Sequence, residues 1–417
     1  MFGVARGQAL PALAALVALA LATPPARAAD PIRIGFSMEL TGNLASGGTT
    51  ALRAMKIWEQ DVNAKGGLLG RPVKLVYYDD QSSPANVPGV YTKLLDVDKV
   101  DLVVSSYGTN MIAPAMPVVM DHDKVFMTLF GTAVNDKFKY EKYFQVLPNG
   151  KDTAVAPSKG WFDAAMAIDP KPKTVALLAA DAEYAQNVAA GARRIAAEKG
   201  LRIVYDAKYD PKTVDYLPIV RALQAANADL VYVASYPADS VGIIKAAHEV
   251  GLKAAMFGGG MIGPAFAPIK VALGPLLNGV TTYDVYVPEP TMKFPGVEAF
   301  LKRYQAAAGK ADPLGYYIPP FAYAQLQVLG DAVTATGGLD QDKLAKYIHD
   351  STFHTIVGDV KFADNGEWEK SRVLFVQYQG IDGSGVGQFK QPGKQVIVYP
   401  PQFVSGKLQY PYAAATK

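Results

Sequence analysis

IRIGFSMELTGNLASGGTTALRAMKIWEQDV, residues 32–62, decides how the rest of the chain is read. Ile32, Ile34 and Phe36 alternate as the buried side of a strand. Ala51, Met55, Trp58 and Val62, spaced four, three and four apart, put one apolar face on a helix. A strand followed by a helix is the first half of a βαβ unit. The stretch between them, Ser37 to Thr50, contains Gly42, Gly47 and Gly48. In an open parallel sheet such a turn leaves the carboxyl end of its strand and faces the crevice where ligands collect, and glycine lets the backbone come close to a bound molecule. The start of the next helix offers N–H groups to an anion. This turn is read as one wall of a binding cleft, a reading that rests on fold analogy, since turns of this composition also occur with no ligand.

The alternation continues outward. Strands are expected at Val73–Tyr78, Leu102–Ser105 and Val125–Thr128, with helices at Asn86–Asp98 and through Met120, the latter tolerating Pro114 and Pro117 early in its course. The last of these strands leads into the turn Leu129-Phe130-Gly131-Thr132. After a break near Pro148-Asn149-Gly150 a second run begins. Its strands are Thr174–Ala179, Arg202–Ala207, Leu230–Ala234 and Ala254–Phe257, interleaved with helices at Thr153–Ala167, Tyr184–Lys199, Tyr216–Ala226 and Asp239–Val250. Strand Val280–Val285 then leads through Pro288 and Pro290 to helices at Gly296–Ala308, Tyr317–Ala335 and Gln341–Ile348. Beyond them the pattern turns to β structure at Val360–Phe362, Val373–Tyr378 and Val396–Tyr399, and Ala413–Lys417 reads as a frayed tail. Two successive α/β runs of similar length imply two lobes.

Composition narrows the class of protein. Half of the 417 residues are hydrophobic and 19% are charged, enough apolar material for two cores. Residues 1–28 stand apart: Arg6 precedes an Ala/Leu/Val-rich run from Ala9 to Ala22, Pro24-Pro25 stops it, and Ala26-Arg27-Ala28 fits an A-x-A cleavage site. This is the pattern of a secretory signal peptide, shorter than the ~20 residues of a spanning helix. The mature protein is expected to be soluble beyond the inner membrane, with no membrane insertion. There is no cysteine, which excludes disulfides, thiolate metal sites and a lipid-modified N-terminus. Removing Arg6 and Arg27 with the leader leaves 39 basic against 38 acidic residues, no electrostatic footprint for nucleic acid.

Catalytic signatures are missing. His122, His248, His349 and His354 have no ligand spacing, His349 and His354 being read as solvated or capping. No G-x-G-x-x-G follows a strand, and neither a P-loop nor a G-x-S-x-G elbow occurs. Asp79-Asp80 is either a magnesium pair or a turn cap working with Ser82 and Ser83, and the cap is preferred. The positive signal is aromatic: 23 tyrosines and 17 phenylalanines, rings suited to a cleft around a small, partly apolar molecule, although most such rings serve core packing.

Several motifs together carry a resemblance. Gly35-Phe36-Ser37 through Leu40-Thr41-Gly42, the block Asn63-Ala64-Lys65-Gly66-Gly67-Leu68-Leu69-Gly70-Arg71-Pro72-Val73, Asp79-Asp80-Gln81 and Asp181-Ala182-Glu183-Tyr184 resemble the branched-chain amino acid (Leu/Ile/Val) binding proteins of ABC transporters, which are type I periplasmic binding proteins. The resemblance covers essentially the mature chain. It implies an α/β fold of two doubly wound parallel-sheet lobes joined by a three-strand hinge. Lobe 1 would comprise residues 29–147 and 283–360, lobe 2 residues 148–282 and 361–417. A ligand would sit in the cleft and the lobes would close on it.

The family holds an amino-acid carboxylate with hydroxyls in the third and fourth βα turns. Thr109 and Thr132 match those positions, and Phe130 falls where a backbone carbonyl is offered. Tyr184 and Tyr236 match tyrosines that close from the second lobe. With Ser46 of the first turn, Tyr107 and Gly131 these make up the expected ligand site. Two departures count. The acid that pairs the ligand ammonium is replaced by glycine in Gly258-Gly259-Gly260, placed in a loop after the strand at Ala254–Phe257, and an aromatic of the first turn is replaced by Gly47. A desolvated ammonium without its counter-charge costs on the order of several kcal/mol, so an ordinary amino acid needs Asp181, Glu183 or Asp239 to reach inward. The glycines are expected to enlarge the pocket. The expected ligand is therefore amino acid-like, an aromatic carboxylate or an amide. The resemblance implies a non-enzymatic, monomeric periplasmic receptor that needs no cofactor and delivers its ligand to ABC permease subunits. A periplasmic sensor of the same fold is the alternative, and an exported enzyme the remote one.

Overall fold

The structure is a computed structural model that describes residues 1–4 and 30–415. All but four residues of the segment read as a leader therefore lie outside the described residues. Ten strands alternate with helices: β1 Ile32–Met38, β2 Val73–Asp79, β3 Leu102–Tyr107, β4 Phe126–Leu129, β5 Tyr143–Gln145, β6 Thr174–Ala180, β7 Arg202–Tyr209, β8 Leu230–Ser235, β9 Met256–Met261 and β10 Val280–Asp284. A hairpin, β11 Thr352–Thr355 with β12 Gly358–Lys361, and two final strands, β13 Leu374–Tyr378 and β14 Gln395–Tyr399, complete the chain.

Apart from the β11–β12 hairpin, which is a two-stranded sheet of its own, these strands form two sheets, one per lobe. The first is ordered β2-β1-β3-β4-β5, all parallel. The second is ordered β14-β13-β10-β9-β8-β6-β7, parallel from β10 to β7 and antiparallel at its β13 and β14 edge. Doubly wound strands are buried on both faces, which is why β3 and β8 read as continuous apolar or neutral runs. The chain passes between the lobes three times, after β5, after β10 and after β12. Among the described residues these crossings carry no ladder beyond the single bridge of Phe362 with Trp368.

The first helix shows how sequence becomes packing. It runs Ala45–Ala64 and buries Ala51, Met55 and Trp58. Trp58 reaches the helix Pro319–Thr336 at Gly330, where a Cβ would lie 2.8 Å from the indole. Glycine there is a socket for the ring, and burying a side chain of this size contributes about 2–3 kcal/mol. The helix begins earlier than the sequence suggests, so Gly47 and Gly48 belong to its first turn and only Gly42 (φ +85°) needs glycine's conformational freedom. The other two answer to space: a Cβ on Gly48 would sit 2.1 Å from the Glu39 carbonyl oxygen, and one on Gly47 2.6 Å from the Tyr107 ring.

Gly258, Gly259 and Gly260 are not in a loop. They form the middle of β9. Gly258 (φ +136°) and Gly259 (φ +105°) hold conformations that a side chain rarely adopts. The Tyr232 ring lies against Gly259, 2.5 Å from where a Cβ would be, while its hydroxyl bonds Ser158 at 2.7 Å. The space left by missing side chains is thus filled by Tyr232, in the core of lobe 2. The tail also differs from expectation: Tyr412–Ala415 forms a helical turn, with the Tyr412 N–H donating to Ala254 O at 3.0 Å and its ring 5.0 Å from Phe257.

Candidate functional site

The turns after β1, β3, β4, β6, β8 and β9 and the β10 crossing bring their side chains to one narrow cavity between the lobes, with about 30 Å³ of free volume. Lobe 1 contributes Tyr107 from the end of β3, Thr109 and Asn110 from the start of helix Thr109–Asp121, and Phe130 and Thr132 from the turn after β4. Lobe 2 contributes Tyr184 at the start of helix Glu183–Glu198, Tyr236 and Ile262. Tyr283 of β10 and Tyr317 close the hinge side. Each position follows from the sheet rule that the carboxyl ends of parallel strands face the crevice.

Of the expected residues, Tyr107, Thr109, Phe130, Thr132, Tyr184 and Tyr236 converge on this cavity. Ser46 does not line it; its place is an adjoining space behind Tyr317. Gly131 packs behind the wall, its Cβ position 2.6 Å from the Gln145 side-chain amide. The sequence reading missed Asn110, Tyr283 and Tyr317, and the apolar wall residues Leu44, Leu147 and Ile262. Asn110 adjoins a residue already singled out, whereas Tyr283 and Tyr317 come from hinge segments that only the fold brings in.

Polar groups in the first lobe are arranged toward the helix start. The Thr109 hydroxyl accepts the Thr132 N–H at 3.0 Å, which joins the third and fourth turns. Thr109 sits at the positive end of a 13-residue helix, a setting that favours an anionic or carbonyl oxygen, and Thr132 is held beside it. Phe130 has φ +64°, and its N–H donates to the Gln145 side chain at 2.9 Å, which helps hold this strained turn.

The two lobes are bonded across the cleft. The Tyr236 hydroxyl donates to Asn110 Oδ1 at 3.0 Å, and the Tyr184 N–H reaches the same oxygen at 3.3 Å. Asn187 Nδ2 donates to Thr132 O at 3.0 Å. The Tyr184 hydroxyl turns inward to Gly260 O at 3.1 Å, so its ring rather than its hydroxyl faces the cavity.

No charged side chain lines the cavity. Asp181 pairs with Lys208 at 2.8 Å, and Asp239 is bonded by the Tyr209 hydroxyl. Glu183 is not in the wall either, so none of the three acids expected to replace the family's carboxylate does so. Burial pushes the Tyr107, Tyr184, Tyr283 and Tyr317 hydroxyls up, and that of Tyr236 up to about 12, so all remain neutral at ordinary pH. The glycines do not widen the space, because Tyr107 covers Gly47 and Tyr232 fills the β9 side.

The remaining candidates resolve simply. Asp79 caps the first turn, accepting the Leu40, Thr41 and Gln81 N–H groups, and Asp80 accepts the Ser82 N–H at 3.0 Å. His349 bonds Glu141 O and His354 pairs with Asp359. Among the described residues no group of His, Asp and Glu is placed to hold a metal ion, and no helix is long and apolar enough to cross a membrane.

Residues 31–382 match the family described as periplasmic binding protein. The chain belongs to that family. This periplasmic binding protein is 24% identical to the leucine-, isoleucine-, valine-, threonine- and alanine-binding protein of Pseudomonas aeruginosa, over 86% of its own length and 93% of the relative's. Its fold is shared by a branched-chain amino acid transporter substrate-binding protein of Streptococcus pneumoniae solved with isoleucine (TM-score 0.71, 18% identity, 89% and 100% of the two chains). It is likewise shared by an ABC transporter solute-binding protein of Rhodopseudomonas palustris solved with 3,4-dihydroxybenzoic acid (TM-score 0.69, 18% identity, 85% and 94%). The chain is a periplasmic binding protein of the branched-chain amino acid transporter type, a substrate-binding protein and not an enzyme.

Proposed function

We propose that this protein is the periplasmic substrate-binding component of an ABC transporter, and that its ligand is a small aromatic carboxylate or amide without a free ammonium group. One observation carries the choice of ligand: six aromatic rings and no charged side chain form the cavity wall. An α-amino acid would bring an ammonium into this setting with no carboxylate to meet it, a loss on the order of several kcal/mol. A carboxylate or amide oxygen, by contrast, finds the Thr109 hydroxyl at a helix start with Thr132 in the same wall, and a ring finds Tyr107, Phe130, Tyr184 and Tyr236. The complex of the Rhodopseudomonas palustris protein with a dihydroxybenzoic acid shows that this fold accommodates such a molecule.

The cavity residues named here, with Ser46 and Gly131 in supporting places, form the site in this reading. Cleft closure excludes water and strengthens the polar contacts, and the closed form is the one the permease recognises. Export by residues 1–28 places the monomeric protein in the periplasm. Calorimetry on refolded, ligand-stripped protein tests the ligand class. Benzoate, 4-hydroxybenzoate or cinnamate is expected to bind and leucine to be far weaker; tight leucine binding with all three acids inert would reverse the conclusion.

A further inference from the structure

Behind the Tyr317 ring lies a second, small space of about 10 Å³, room for one water-sized group, also between the lobes and lined by Ser46, Thr50, Phe266, Asp312 and Tyr316. Tyr317 lines both spaces. Its ring stands 5.2 Å from Phe130 and 5.3 Å from Phe266, edge to face with each, and is 5% exposed. Phe130 belongs to lobe 1 and Phe266 to lobe 2, so the partition is assembled from both lobes with Tyr317 as its middle panel.

The two compartments differ in chemistry. The first offers neutral hydroxyls and rings. The second contains Asp312, whose carboxylate accepts the Tyr304 hydroxyl at 2.9 Å and the Gly315 N–H at 3.1 Å, together with Ser46 at the start of the first helix. It is therefore suited to a hydrogen-bond donor such as a phenolic hydroxyl, which would face an acceptor already oriented by two bonds.

We propose that Tyr317 is a specificity-determining residue that fixes the length of the bound ligand: once its ring is removed, the distal ring of an elongated hydroxyaryl carboxylate would take the place of the tyrosine ring and set its hydroxyl in the small polar space behind. The proposal rests on the aromatic-carboxylate reading of the first compartment and adds a limit to it. Edge-to-face contacts on two sides keep the ring in place, so a ligand long enough to cross the partition must displace packing as well as solvent.

The test uses two acids, 4-hydroxybenzoate and 4′-hydroxybiphenyl-4-carboxylate, titrated calorimetrically into the wild type, Tyr317→Phe, Tyr317→Leu and Tyr317→Ala. Wild type and Tyr317→Phe should bind the short acid and discriminate strongly against the long one. Tyr317→Ala, or Tyr317→Leu if the alanine variant does not fold, should bind the long acid at least tenfold more tightly than wild type does. A folded variant that still binds 4-hydroxybenzoate but gains nothing for the long acid overturns the partition, as does a wild type that binds both acids equally. If no variant binds 4-hydroxybenzoate, the ligand reading falls by itself. A crystal structure of the variant then decides the partition: one continuous space supports it, and two spaces still separated by other atoms refute it.

Discussion

Asn110 Oδ1 in lobe 1 accepts both the Tyr236 hydroxyl and the Tyr184 N–H of lobe 2, at 3.0 and 3.3 Å. One side-chain oxygen therefore joins two elements that must separate when the cleft opens. Replacing it with a methyl group leaves two donors without their partner in the closed form, at about 1–3 kcal/mol. Asn110→Ala should shift the protein toward the open form by roughly tenfold or more. Small-angle scattering in ligand-free buffer should report a larger radius of gyration than for wild type, and identical curves would remove Asn110 as a latch.

Thr132→Ala and Tyr184→Ala each remove a wall group from a desolvated cavity, and each should weaken ligand binding by roughly ten-fold or more. The second change also deletes the hydroxyl that reaches Gly260 O. Tyr184→Phe separates the two effects, since it keeps the ring and loses only that bond. Unchanged affinity in both alanine variants, with melting temperatures near that of wild type, would take these residues out of the site.

Two buried acids give lobe 1 a pH dependence. Burial, with Asp80 as a charged neighbour, holds the Glu39 carboxyl well above its usual range, and burial pushes Asp80 from 3.8 up to about 6. A carboxyl whose pKa is higher in the folded state stabilises the fold below its unfolded pKa and loses that contribution as pH rises through the folded value. For Asp80 the window runs from about 4 to above 6, and the effect is on the order of 3 kcal/mol. Thermal melts should fall in Tm across this window for wild type and fall less for Asp80→Asn, which keeps an oxygen for the Ser82 N–H. Equal slopes would rule Asp80 out as the source.

Glycines that share a composition differ sharply in what they permit. Gly48→Ala drives a Cβ to 2.1 Å from a backbone oxygen that cannot swing aside, and should destabilise by about 2–4 kcal/mol. Gly89→Ala, in the helix Val87–Thr92 with nothing within 4 Å, should be neutral or stabilising by up to about 1 kcal/mol. Denaturant unfolding of the pair measures the contrast; a Gly48→Ala variant as stable as wild type would mean that the helix start can shift.

Periodicity made most of the fold legible, because parallel strands and covering helices each leave a simple apolar rhythm. The errors fall where that rhythm is silent. Nothing in three consecutive glycines indicates a strand, and β9 is one only because Tyr232 supplies the bulk from its neighbour. Gly47 looked like loop material and is a helix residue shaved down for the Tyr107 ring. In the site, Thr109, Phe130, Thr132, Tyr184 and Tyr236 were readable through the family resemblance, which matched them to positions in the βα turns that follow strand ends. Tyr283 and Tyr317 were not, since their relation to the cavity depends on how segments 34 residues apart in sequence meet at the hinge. The closing acid was legible as an absence, and the geometry turns that absence into a wall without charge.

The sheet order carries a consequence for how the molecule is assembled from its chain. The first sheet is complete at Gln145, yet the helix that seats on Trp58 starts only at Pro319. The second sheet is completed along one edge by β13 and β14 and reached by the Tyr412 N–H, all 200 residues or more beyond its first strand residue, Thr174. No single cut of the polypeptide yields a fragment with a finished interior, so proteolysis or truncation at either end compromises a lobe, whereas a rearranged chain that rejoined each lobe's two pieces would produce two separately folding halves.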